Sequence, residues 1–250
     1  MDPVWLLLLL PLAAASGWYA ASRGRRSTRS VGADIPQAYF KSLNLLLNEQ
    51  QDKALDVLIS ALETHEETVE IQLALGNLFR RRGEIERATQ LHQNLIARSG
   101  LDPEQRLHAL YELGQDYYKA GLFDRAESLL LEVAEAAQYS ESAYRLLLQL
   151  YEQEKEWENA IDAARRLSLA SGEDLDGLLA QYNCELAEER MTAGFYQECA
   201  GFIHQALTLE QECTRALMQS GRLRAIKNEH QLAIREWNKI VNLHPEMLTD

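Results

Sequence analysis

The side chains with the most chemistry to offer in this 250-residue chain are six histidines and three cysteines. The histidines are His65, His92, His108, His204, His230 and His244. No two stand four apart on one helical face, so the H-E-x-x-H pairing that holds a catalytic zinc is missing. His92 and His204 fall inside a repeating pattern described below, which makes them structural or surface residues. Cys184, Cys199 and Cys213 include no C-x-x-C pair, which argues against structural zinc and for buried, reduced thiols. No G-x-S-x-G elbow, Walker loop or G-x-G-x-x-G turn occurs. The acid-rich run Glu152 to Glu158, broken by Lys155, has the spacing of solvated helical ion pairs. No nucleophile–base pair, metal set or cofactor cradle emerges, so the chain reads as a non-enzyme without a cofactor.

The elements that carry these residues are helical. Only 5 prolines and 13 glycines interrupt a chain rich in Ala, Leu, Glu, Gln and Arg, residues that lose little freedom in a helix. The formal charge of −13 is uneven. Residues 1–30 hold Arg23, Arg25, Arg26 and Arg29 against Asp2, leaving −16 on the other 220 residues. So acidic a body lacks the basic face that nucleic acid requires.

Val4 to Ala21 is an uncharged run of 18 residues. As a helix it spans roughly 27 Å, close to a bilayer's hydrocarbon thickness. Trp5 flanks one end, and Trp18 and Tyr19 the other, where interfacial aromatics belong. A cleaved signal peptide is the competing reading, but such peptides carry their basic cluster before the apolar run. Here the arginines follow it, and they place the following segment on the cytoplasmic side. The expected organisation is a transmembrane anchor over 1–22, a basic and polar linker over 23–36 and a helical body over 37–250.

That body repeats. Ala54, Ala88, Ala126, Ala160, Cys199 and Ala233 recur at spacings of 34, 38, 34, 39 and 34 residues. Twelve residues before each stand Ser42, Gly76, Gly114, Leu148, Ala187 and Gly221, small at every place but Leu148. Small residues at two fixed positions let two helices approach closely, and larger ones further on fill the gap to the next pair. Gly83 and Gly121 mark turns inside the pairs, and the wider spacings imply longer connections near Gly100–Asp102 and Ser171–Asp174. This is the tetratricopeptide pattern. It predicts an all-α fold, with the N-terminal transmembrane helix followed by a solenoid of about six helical hairpins, because one hairpin cannot bury its apolar face alone. Pro245 is expected to end the last helix, with no polar capping helix after it.

In such hairpins one stripe of each first helix lines a concave groove. Counted from the alanine frame, the stripe holds Asn77, Arg80, Tyr111, Gln115, Tyr118, Arg145, Gln149, Glu152, Glu188 and Arg222. Tyrosine, arginine and amide side chains suit a groove that grips a peptide or a partner helix.

Several stretches exceed what a generic repeat demands: GWYAASRGRR after the apolar run, LLNEQQDKALDVL, LGNLFRRRGEIERATQLHQNL, ELGQDYYKAGLFDRAE and YNCELA. With these the chain resembles the lipopolysaccharide assembly protein B family of Gram-negative bacteria. The resemblance implies a single-pass inner-membrane protein with cytoplasmic repeats. It also implies an adaptor role: presenting the deacetylase that commits the cell to lipid A synthesis to a membrane AAA+ protease. A general scaffold for envelope and lipopolysaccharide assembly proteins is the alternative. The family ends in a rubredoxin-like iron or zinc domain with two C-x-x-C pairs. The sequence stops at Asp250 without them, so no metal ligand carries over.

Overall fold

The computed structural model describes residues 41–42, 51–64 and 69–243. The chain divides into two compact units, Met1–Val57 and Leu58–Asp250. The expected anchor over 1–22, the linker over 23–36 and the stop at Pro245 lie outside the described residues. Among those residues no helix is long and apolar enough to cross a membrane.

The described residues form eleven helices and no strand. They are α1 (Gln51–Thr64), α2 (Val69–Arg81), α3 (Ile85–Ile96), α4 (Pro103–Lys119), α5 (Phe123–Ala134), α6 (Ala137–Glu154), α7 (Trp157–Ser171), α8 (Asp176–Thr192), α9 (Tyr196–Leu209), α10 (Thr214–Ile226) and α11 (His230–Leu243). In the second unit α2/α3, α4/α5, α6/α7, α8/α9 and α10/α11 pack as hairpins, and each hairpin packs on the next. This is the all-α solenoid read from the repeats. The first expected hairpin is represented by α1, its second helix.

The alanine frame is where the helices meet. Ala54, Ala88, Ala126, Ala160 and Cys199 are wholly buried, and Ala233 is 1% exposed. Seven residues on, Leu95, Val133, Leu167, Ala206 and Ile240 are buried too. The earlier small position faces the side chain four residues after the alanine. A Cβ added to Gly76 would lie 2.3 Å from His92 Nε2, and one on Gly221 would lie 2.1 Å from Trp237 Nε1. On Gly114 it would lie 3.1 Å from Leu130 Cδ2. Leu148 breaks the small-residue rule because the exchange runs the other way: the residue four after Ala160 is Ala164, and both Leu148 and Ala164 are buried. A large residue at one frame position with a small one at the other suits a close-packed interface.

The turns inside hairpins share one geometry. Gly83, Gly121, Lys155, Gly194 and Asn228 all have φ between 61° and 80°. The residue after each returns its N–H to the carbonyl five back: Glu84 to Phe79, Leu122 to Tyr117, Glu156 to Tyr151, Phe195 to Arg190 and Glu229 to Arg224, at 2.8–2.9 Å. This is the Schellman closure of a helix end. Lysine occupies the left-handed position at 155 and asparagine at 228, which is why only some turns announce themselves by glycine. The longer connections fall at Gly100 and Gly172, both with positive φ, and Pro103 then opens α4.

Candidate functional site

The ten stripe residues all lie on first helices: two on α2, three on α4, three on α6, and one each on α8 and α10. Most of the charged ones are held within the chain.

Arg80 is the clearest case. Its Nη1 donates to Asp116 Oδ1 at 2.7 Å and to the Glu112 carbonyl at 3.1 Å. Its Nη2 donates to Glu112 Oε2 and to Asn77 Oδ1. Gln115 Nε2 donates to the same Glu112 oxygen at 3.1 Å. Asp116, fully buried, accepts from His92 Nδ1 through its other oxygen at 2.6 Å. His92 Nε2 faces Gly76 with no hydrogen-bond partner. Burial alone resists ionising Glu112, but His108 and the Arg80 guanidinium outweigh it and hold its carboxyl down at about 2. Asn77, Arg80 and Gln115 therefore belong to one knot joining α2 and α4.

The other ions behave alike. Arg145 pairs with Glu141 and Glu173. Glu152 accepts from the Tyr182 hydroxyl, whose ring stacks on Trp157 at 5.9 Å; burial first and this carboxylate second push the phenol up. Arg222 Nη1 lies 3.0 and 3.1 Å from the two oxygens of Glu188, which also accepts from Gln219. Across α2–α4, α6–α8 and α8–α10, these bonds staple one first helix to the next.

Between α4 and α6 the wall is aromatic instead. Tyr111 packs on Tyr139 at 5.6 Å, and His108 lies 6.1 Å from the same ring. Tyr118 is half-buried against Phe123 and under Lys119, and Gln149 is exposed. Tyr111, Tyr118 and Gln149 are the stripe residues outside these ion-pair and carboxylate bonds, and they lie on α4 and α6. Sequence reasoning missed Glu112 and Asp116; His92, read there as structural or surface, is wholly buried. The available signal was Asp116 itself, an acid set next to Tyr117 and two residues after the repeat's small position Gly114.

Among the described residues no three His, Cys, Asp or Glu side chains are placed to hold a metal ion. The cysteines do not fit a rubredoxin-like centre, which draws four thiolates from two C-x-x-C pairs.

Fold and frame define a tetratricopeptide-repeat protein, and the tetratricopeptide family model matches residues 111–174. This is a class of scaffolds that bind proteins and not of enzymes. More particularly, the chain is similar to lipopolysaccharide assembly protein B: it is 35% identical to the Escherichia coli K12 protein over 247 residues, 98% of its own length. It is 33% identical to the Haemophilus influenzae protein over 253 residues. The chain spans 63% of the length of these relatives. Among solved structures, Pseudomonas aeruginosa pilF is similar, with 16% identity and a TM-score of 0.48. That match covers 84% of this chain and 91% of the other.

Proposed function

We propose that the chain is a membrane-anchored cytoplasmic adaptor that restrains lipopolysaccharide synthesis. It presents a lipid A biosynthetic deacetylase to a membrane AAA+ protease. The observation that carries the reading is the match to lipopolysaccharide assembly protein B along 98% of the chain. A role in lipopolysaccharide assembly through protein–protein contacts is its coarser form. The uncharged run Val4 to Ala21 and the arginines behind it support an inner-membrane, single-pass location with the repeats in the cytoplasm.

The proposed partner contact lies on the stripe of first helices. With most stripe ions engaged within the chain, Tyr111, Tyr118 and Gln149 offer area and hydrogen bonds at little entropy cost. A crosslinker placed at Gln149 in membranes should capture the deacetylase, and deleting the gene should lengthen the deacetylase half-life. Capture of envelope assembly proteins with an unchanged half-life would favour the general scaffold. Recovery of neither protease nor deacetylase would sink the adaptor reading.

A further inference from the structure

Two of the three cysteines touch although 29 residues separate them: Cys184 sits within α8, Cys213 is the N-cap residue of α10, and their sulfurs are 3.9 Å apart. Ala180, Ala206 and Ala216 complete the cluster around them, with every member 2% exposed or less. Such small side chains let α8 and α10 approach closely enough for two thiols to meet. Cys199 is as deeply buried, but it lies in a separate cluster with Ala187, Met191, Ile203 and Leu223.

The two thiols differ in surroundings. Cys213 lines an open cleft of about 740 Å³ together with Gln181, Arg215 and Met218. Gln181 Nε2 lies 3.6 Å from its sulfur as a donor. Arg215, beside it in the cleft, is paired with Glu185 at 2.6 Å. Cys184 does not line that cleft. Burial, and then its neighbour Cys213, push its thiol up to about 12, so it keeps its proton.

We propose that Cys184 and Cys213 form an oxidisable dithiol, a modification site whose reactant is a small hydroperoxide. Cys213, as thiolate, attacks the distal oxygen of ROOH. The O–O bond breaks, the alkoxide leaves and takes up the proton Cys213 gave, and Cys213 becomes a sulfenic acid. The Cys184 sulfur then attacks the Cys213 sulfur. An S–S bond forms, the S–O bond breaks, and hydroxide leaves as water with the Cys184 proton. Two thiols are oxidised while one peroxide is reduced to alcohol and water. Bonded sulfurs stand about 2 Å apart, so the pair must close by about 2 Å. That movement draws the start of α10 toward α8. It reaches the groove stripe directly, because Gln219 Nε2 bonds both the Cys184 carbonyl and Glu188, which holds Arg222. In a reducing cytoplasm such a bond is transient, as redox-sensing disulfides are.

The test is peptide mapping of the full chain without reduction, after hydrogen peroxide treatment and alkylation in denaturant. The expected product is a single Cys184–Cys213 crosslinked peptide pair, with Cys199 recovered as an alkylated thiol. Cys184→Ser should strand Cys213 as a sulfenic acid that dimedone labels, and Cys213→Ser should leave Cys184 unoxidised. Circular dichroism confirms that each variant is folded, and the wild-type map stands without them. Recovery of all three cysteines as free thiols, or oxidation spread equally onto Cys199, would overturn the proposal.

Discussion

Between α2 and α4 the chain buries charge, and between α8 and α10 it buries alanine and cysteine. Both junctions obey the same repeat frame, and both join the first helices of successive hairpins. At the first, Arg80 is shared by Glu112 and Asp116, and His92 closes the knot beneath Gly76. At the second, Ala180, Ala216, Cys184 and Cys213 meet in a buried cluster of small side chains, and the ion pairs Arg215–Glu185 and Arg222–Glu188 lie outside it. A repeat frame thus dictates where helices meet but leaves open how the meeting is held. A buried ionic knot needs every member in place, because removing one leaves another unpaired. An apolar cluster tolerates loss in proportion to the atoms removed.

The largest effect follows from breaking the knot. Asp116→Ala strands Arg80 and His92 and should cost about 3–5 kcal/mol. Because repeats couple to their nearest neighbours, hydrogen exchange should show lost protection in α2 to α5 while α8 to α11 keep theirs. Equal loss along the whole stack would mean that the two junctions are not separable.

Acid should next distinguish them. The Glu112 carboxyl is held near 2 in the folded chain, below its ordinary value of 4.5. Its contribution is therefore present above about pH 4.5 and disappears as pH falls toward 2, a loss of at most about 3 kcal/mol. Glu185 is also lowered, by its hydrogen bond from Arg215, but it is a third exposed and screened by solvent, so its loss is much smaller. A urea midpoint for α2 to α5 that does not move between pH 5 and pH 3 would remove the ionic account.

The glycines sharpen the contrast. At Gly76 a methyl group meets a histidine ring that Asp116 pins and the core encloses, so Gly76→Ala should destabilise by about 1–3 kcal/mol. At Gly221 it meets Trp237, which is half-buried and can swing outward, and the better helix propensity of alanine offsets part of the strain. The thermal midpoint should fall clearly further for the first variant than for the second. Smallest of all is Arg222→Ala. This pair is half exposed at the arginine, and thermal unfolding should register less than about 1 kcal/mol.

The hairpin frame was legible from six recurring positions, and the turns at Gly83 and Gly121 from glycine alone. The same turn at Lys155 and Asn228 was not, because the conformation is imposed by the Schellman bonds around it. Leu148 departs from the small-residue pattern, and the frame position that faces it carries Ala164, buried in the same core cluster. The stripe was legible as a set of positions on first helices, but not the engagement of its ions. Arg80 finds Glu112 and Asp116 more than thirty residues away, and no local period encodes that distance.

What the sequence by itself determined is the frame. Small residues at fixed spacing allow helices to close on one another, and apolar residues at helical period decide which face does so. Only the tertiary structure decided which side chains of neighbouring hairpins meet across that closure. It set His92 under Gly76, two carboxylates on one arginine and two thiols 3.9 Å apart. The physical reason is range: helix propensity and periodicity act within a few residues, whereas burial and pairing act between atoms that the chain brings together only by stacking one hairpin on the next.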